Sequence, residues 1–301
     1  MSQVRLSIAA VERDVGLSKD VLRVWERRYG FPVPGRDLHG VRIYTEEQVE
    51  HLRLIKRLMY SGYRPGRLIA MPDEEFALLS TRGGGPSLET PLAETPESLA
   101  RLFSLIHLHQ VDAYTQSMQQ ILAREGLSRF VQHTMAPLTE LIGLGWQQGR
   151  LQVFEEHLFA ELTERVMRQA MAVVPRGLEP RVLLTTLPNE QHAMGLLMVE
   201  ALLALEGAQC ISLGTQLPLL EVAHAAEAHH ADVVGLSFSA AFPARQIPSL
   251  LLQLRALLPA TIQLWAGGSG VRRVAGPEGV LIAATLHDAV AAVASWRSAR
   301  E

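Results

Sequence analysis

Residues 181–195 read RVLLTTLPNEQHAMG, and the character of the chain changes twice inside them. The apolar, β-branched run from Arg181 to Leu187 reads as a strand. Pro188 and Asn189 end it, and the apolar stretch from Ala193 to Leu205 has the length and spacing of a helix. The alternation continues downstream: strand Gln209–Leu213, a helix from about Leu219 to His230, strand Asp232–Phe238, a helix near Ile247–Leu257, strands Ile262–Ala266 and Val280–Ala283, and a helix His287–Arg297. Short apolar strands separated by helices require a parallel sheet covered on both faces. Five such strands predict a flavodoxin-like (Rossmann-like) α/β domain over residues 176–301, with its ligand at the carboxyl ends of the strands.

Upstream of this domain the period is helical. Leu99, Leu102, Phe103 and Ile106, and then Phe130, Met135, Leu138, Leu141 and Ile142, recur at three- and four-residue spacing, which predicts a small helical bundle over 97–175. Between 73 and 96, Arg82-Gly83-Gly84-Gly85-Pro86, Thr90-Pro91 and Thr95-Pro96 favour a tether over a packed element. Residues 1–72 then form a separate head, and a chain of 301 residues with 48 % hydrophobic content has enough apolar surface for several cores. The net charge is −3, but it is unevenly distributed: residues 1–70 hold 13 Lys and Arg against 8 Asp and Glu, so a basic head sits on an acidic body. The single cysteine, Cys210, excludes a disulfide framework and a Cys-based zinc site, and its apolar surroundings suggest a buried structural thiol. With neither an apolar signal core near the start nor a run long enough to cross a bilayer, the expectation is a cytoplasmic protein with no membrane partner.

In the head, Ser7-Ile8-Ala9-Ala10-Val11 begins a helix, Gly16-Leu17-Ser18 makes a turn, and Ser18 caps a second helix running from Lys19 to Tyr29. This is helix-turn-helix spacing. Arg23, Arg27 and Arg28 fall on or beside one face of the second helix, while Val21, Val24 and Trp25 are expected to pack inward, an arrangement suited to a helix in the major groove. Gly30-Phe31-Pro32, Arg36, Gly40, Arg42 and Tyr44 suggest a short β wing carrying phosphate contacts. The string VLRVWERRYG at 21–30, with Arg42-Ile43-Tyr44, resembles the winged helix-turn-helix of MerR-family regulators over about residues 5–70. That resemblance implies a double-stranded DNA operator as partner and binding as pairs of heads. The residues expected at the DNA are Ser18, Lys19, Arg23, Arg27, Arg28, Arg36, Arg42 and Tyr44, with the arginines supplying mostly salt-dependent phosphate affinity.

The turn after the first α/β strand has the form Glu190-x-His192-x-x-Gly195. A histidine there can ligate a metal through one ring nitrogen if an acceptor holds the other, and Glu190 is close enough in sequence to be that acceptor. The pattern resembles the motif of cobalamin-binding domains, and the resemblance implies that His192 is the lower axial ligand to cobalt. It further implies that Ser237 and the pair Gly267-Gly268 line the slot for the nucleotide tail. Where that family has Ser-x-Leu, this chain has Ser237-Phe238-Ser239. In the bundle, Trp146 followed by Glu156-His157 resembles the cap over the cofactor's upper face in photoreceptor regulators of the CarH/LitR type. By that resemblance these three residues recognise adenosylcobalamin. The histidine that directly follows the tryptophan in light-responsive members is Gln147 here, which argues against a bis-histidine adduct by that route.

Together these features imply a repressor whose self-association, as dimer or tetramer, and operator affinity follow its cobalamin state, with light as a candidate signal. Two other readings stay open: a regulator whose α/β domain has lost cobalamin and serves as a protein-interaction module, and a cobalamin-dependent enzyme component, which leaves the head unexplained. No enzyme is expected. The glycines of a dinucleotide fingerprint are missing after the first strand, and no Ser-His-Asp constellation can be argued. His224, His229 and His230 fall on a polar helix and are given no role.

Overall fold

The computed structural model describes residues 5–37, 40–60, 63–72, 75–76, 96–175 and 177–300, with the side chains of Arg57 and Tyr60 left aside. Nearly all of the expected tether, 73–96, lies outside the described residues. The chain divides into two compact units, one from its first 91 residues together with Gly143–Gln152, the other from the remainder.

The first unit runs β1 (Arg5–Ser7), α1 (Ile8–Val15), α2 (Lys19–Tyr29), β2 (Gly35–Arg36), β3 (Arg42–Thr45), α3 (Glu46–Tyr60) and α4 (Pro65–Ile69). Serines start the first two helices: Ser7 Oγ accepts from the Ala10 amide and Ser18 Oγ from the Val21 amide, each at 3.3 Å, satisfying amides that a helix start otherwise leaves open. Gly16 and Gly30 end them at φ 69° and 71°, the left-handed conformation that suits glycine. Val11, Leu22, Trp25, Tyr44, Leu52 and Ile55 share the core. The wing is larger than its sequence suggested. β1 pairs antiparallel with β3, so the sheet has three strands in the order β1-β3-β2.

In the second unit, α5 (Glu97–His107), α6 (Val111–Glu125), α7 (Leu127–Arg129), a π-helical stretch Phe130–Met135, α8 (Ala136–Gln147, part of the first unit from Gly143) and α9 (Val153–Met171) form the helical portion. The π-helical stretch has a covalent cause in Pro137, which lacks an amide hydrogen and whose ring clashes with the preceding turn. The ladder is displaced there, and the Ala136 amide reaches back five residues to the Val131 carbonyl. The α/β portion follows as β4 (Arg181–Thr185), α10 (Met194–Leu205), β5 (Gln209–Ser212), α11 (Leu219–Ala228), β6 (Val233–Ser237), α12 (Ile247–Leu257), β7 (Gln263–Gly267), β8 (Val280–Ala283) and α13 (Leu286–Ser298).

All five strands are parallel, in the order β5-β4-β6-β7-β8. The winding reverses between β4 and β6, and in open α/β sheets ligands bind in the crevice at that switch point. α10 is apolar almost all round, so it must be covered on more than one side. Its Leu196 and Leu203 join Val182, Leu184 and Trp265 over the sheet, and it also packs on α7, the π-helical stretch and α9. The helical portion is thereby fixed to the helix that starts beside His192. Cys210 lies half-buried on the edge strand β5, and burial pushes its thiol up to about 12, which makes thiolate chemistry inaccessible at neutral pH.

Candidate cofactor cradle and nucleic-acid interface

β4 ends at Thr185, and the chain must turn sharply to bring Glu190 back beneath the sheet's carboxyl edge. Asn189 takes φ 72°, which asparagine tolerates better than most residues, and the Glu190 amide closes the turn on the Leu187 carbonyl at 3.0 Å. Thr186, fully buried, secures both sides of the turn: its hydroxyl donates to the Glu190 carbonyl at 2.6 Å and accepts from the Gln216 amide at 2.9 Å. Glu190 is itself only 1 % exposed.

A buried carboxylate is costly unless donors surround it. Here both oxygens are used. Oε1 accepts from the His192 amide at 3.0 Å and from His192 Nδ1 at 2.6 Å, while Oε2 accepts from the Ser239 amide at 2.7 Å and the Ser239 hydroxyl at 2.8 Å. The Ser239 oxygen is held in turn by the Ala241 amide at 3.2 Å and lies 3.1 Å from His192 Nδ1. Burial pushes the Glu190 carboxyl up, but the hydrogen bonds from the His192 ring, the Ser239 amide and the His192 amide outweigh it and hold the group below the ordinary carboxylate range. Against an ionised Glu190, Nδ1 is the donor, and in the neutral ring Nε2 then carries the lone pair. The His192 side chain is 49 % exposed, in contrast to its carboxylate partner.

Close to this pair, glycines allow backbones to meet. A Cβ on Gly195, at the start of α10, would stand 2.7 Å from Ser237 Oγ at the end of β6, and Ser237 sits opposite Gly267 of β7 in the sheet register. Gly268 has φ 93°, and a Cβ there would come within 2.4 Å of the Phe238 carbonyl. Glu190, His192, Gly195, Ser237, Gly267 and Gly268 therefore gather at one end of the sheet. Ser239 and Thr186 join them and were missed from the sequence. Ser239 stands where a leucine is usual, and only folding puts it against Glu190, 49 residues away.

Among the described residues no group of three His, Cys, Asp or Glu is arranged to hold a metal ion. A single oriented, half-exposed imidazole is instead the right donor for a metal already held by a macrocycle. The residues present thus fit cobalamin.

Glu156 and His157 occupy the first turn of α9 and pair with each other, His157 Nδ1 to Glu156 Oε2 at 2.8 Å, with the histidine mostly exposed. Their neighbour Glu155 is buried and accepts from His107 Nδ1 at 3.0 Å and His109 Nε2 at 3.2 Å. Trp146 is half-buried near the end of α8, in the segment that belongs to the first unit.

In the head, Arg23, Arg27 and Arg28 are exposed on α2. Ser18 serves as its N-cap, and Lys19 is drawn to Glu12, Nζ to Oε2 at 3.3 Å. Arg36 is exposed, its Nη1 donating to the Gly40 carbonyl at 2.8 Å within the wing. Tyr44 does not fit the phosphate contact expected of it. It is fully buried, and its hydroxyl donates to Glu26 Oε1 at 2.7 Å. Glu26 Oε2 accepts from Arg42 Nε at 2.9 Å. The wing strand is thus fastened to α2 through one carboxylate, which makes Tyr44 a positioning residue. Val24 also departs from expectation. With 100° per residue, Leu22, Trp25 and Tyr29 turn toward the core and Val24 turns away, 40 % exposed.

Residues 6–71 match the family model described as MerR HTH family regulatory protein, and residues 180–290 match a B12 binding domain. A second B12 binding domain model matches residues 99–172. The HTH-type transcriptional repressor CarH of Myxococcus xanthus is 29 % identical over 271 residues, covering 89 % of each chain. The repressor CarA of the same organism is 30 % identical over 273 residues, covering 89 % of this chain and 88 % of its own. The chain belongs to this family of MerR-type regulators with B12-binding domains. Among solved structures, the monomethylamine corrinoid protein of Methanosarcina barkeri aligns with 66 % of this chain and 98 % of its own at a TM-score of 0.50 and 16 % identity, a likeness of fold alone. In this MerR-type regulator the helical portion and the α/β portion each match a B12-binding model, and α10 is the element on which both pack. No described helix is long and apolar enough to cross a membrane.

Proposed function

We propose that this regulator is a repressor that binds an operator in double-stranded DNA through pairs of its heads and whose affinity is set by cobalamin held on His192. The observation that carries the reading is the Glu190 hub, in which one buried carboxylate orients His192 and is itself oriented by Ser239. Oriented this way, His192 would hold the cobalt through Nε2, Gly195, Ser237, Gly267 and Gly268 would admit the nucleotide tail, and Glu156 and His157 would recognise the group that the cobalt carries, with adenosylcobalamin as the preferred form. Bound cobalamin would supply a metal centre with an exchangeable ligand, replaced thermally or by light.

The residues of the chain do the rest. The head contributes DNA contacts through Arg23, Arg27, Arg28, Arg36 and Arg42, and one head makes too few of them for tight specific binding, whereas two or four tethered heads act at high effective concentration. Cofactor that favours one assembly over another then shifts operator affinity by that preference. Ser239, at the departure from the usual Ser-x-Leu, supports cobalamin retention over the reading in which the domain has become an interaction module, because it supplies two donors to the carboxylate behind the ligand.

The test is operator binding by the full chain with and without adenosylcobalamin, in darkness and after illumination, alongside the visible spectrum. Retained corrinoid bands in wild type, lost in His192→Ala, and operator isotherms that separate with cofactor state are expected. Identical isotherms in every condition, or bands indifferent to His192→Ala, would overturn the reading.

A further inference from the structure

The outer face of α2 carries more than a row of cations. Asp20, Arg23, Val24, Arg27 and Arg28 share it, opposite Leu22 and Trp25 in the core. Two of the five do not suit phosphate binding. Asp20 is an acid, its side chain 88 % exposed, on a face meant for a polyanion, where it weakens attraction to phosphate. Val24 is a β-branched apolar residue left 40 % exposed among charges. Arg23 links them: its Nη1 donates to Asp20 Oδ1 at 3.1 Å, which draws the guanidinium toward the N-terminal end of the helix.

These three residues occupy the N-terminal half of α2, the part of a recognition helix that meets base edges, whereas Arg27 and Arg28 lie at the end that runs toward the backbone. In the major groove, an oriented guanidinium matches O6 and N7 of guanine, and an apolar side chain matches the C5-methyl of thymine. From this geometry we infer that Asp20, Arg23 and Val24 form the base-reading set of this regulator, with Arg23 taking a guanine, Asp20 holding it in place, and Val24 packing on a neighbouring thymine methyl. Arg27 and Arg28 supply affinity without sequence preference. The inference rests on the DNA-binding reading above and assigns its specificity to named atoms.

The experiment is selection of binding sites from random DNA duplexes by the full chain, in the dark, with and without adenosylcobalamin. Binding of the selected duplex is then compared with that of versions carrying deoxyuridine for each thymine, which removes only the methyl. Wild type is expected to lose severalfold in affinity at one thymine per half-site, and Val24→Ala to be insensitive to that exchange. Arg23→Ala is expected to lose roughly 5- to 150-fold of its preference for one guanine. Asp20→Asn is expected to relax that same position while binding non-specific DNA as well or better. Arg28→Ala is expected to weaken all duplexes alike and to flatten the salt dependence by about one unit of slope per head. Selective binding with base preferences unchanged in Val24→Ala and Arg23→Ala would overturn the base-reading set and leave DNA binding standing. Failure of wild type to select any duplex would overturn DNA binding itself, and the base-reading set with it.

Discussion

At the scale of single residues, the site depends on what surrounds one carboxylate. Glu190 tolerates burial because four donor contacts converge on its two oxygens, so removing a donor disturbs His192 from a distance. Ser239→Ala is expected to leave the fold intact and to weaken cobalamin binding about 10- to 100-fold in a spectroscopic titration, the range found for residues that orient a metal ligand through another group. Glu190→Gln replaces one acceptor oxygen by a donor and is expected to cost about 1–3 kcal/mol of stability near neutral pH. The pH dependence has a defined sign. The folded carboxyl is depressed below its ordinary value of 4.5, so its contribution is complete above that value and drains as pH falls through the depressed one. Denaturant midpoints of wild type and Glu190→Gln should therefore converge as the solution is acidified below the ordinary carboxylate range. A gap that widens on acidification would contradict the assignment of charge to Glu190.

At the scale of elements, close approach and fastening decide the outcome. α10 starts close against the end of β6, where a Cβ on Gly195 would meet Ser237 Oγ. Gly195→Ala is expected to destabilise by about 1–3 kcal/mol in chemical denaturation, the usual cost of overpacking. Adding Ser237→Ala should recover most of the loss, which would show the collision to be the cause. In the head, the wing is fastened to α2 by Glu26 through Arg42 and Tyr44. Tyr44→Phe removes a buried hydroxyl and leaves Glu26 one donor short, so it is expected to cost about 1–3 kcal/mol and to lower DNA affinity across all sequences, with base preference unchanged. Deletion of a direct phosphate contact would reduce the salt slope as well, and binding isotherms at several salt concentrations separate the two.

At the scale of the whole molecule, the two compact units imply two unfolding transitions. A cofactor that binds only the folded form of one unit stabilises that unit by mass action, by about 2.7 kcal/mol at a hundredfold excess over Kd. Calorimetry of the full chain with adenosylcobalamin in the dark is expected to raise the transition of the second unit, which carries His192, and to leave that of the first nearly in place. A single transition that shifts as one would show that the units unfold together. The charge of the chain is divided between a basic head and an acidic remainder, and the head's attraction to DNA is the part that screening by salt should remove.

Period and punctuation determined much of this protein. Alternating strands and helices after residue 180, helical spacing before it, and serine caps and glycine stops in the head are local signals, so the sequence alone carried the parallel sheet, the helical middle and the helix-turn-helix. Glu190-x-His192-x-x-Gly195 was legible for the same reason, since the carboxylate and the ring it orients are two residues apart. The tertiary structure alone decided what depends on distant partners: Ser239 closing on Glu190 across 49 positions, β1 joining the wing, and Tyr44 leaving the DNA-facing surface for the core. It also turned Val24 outward, because a helix shows which of its apolar residues are buried only once a core has formed against one side of it.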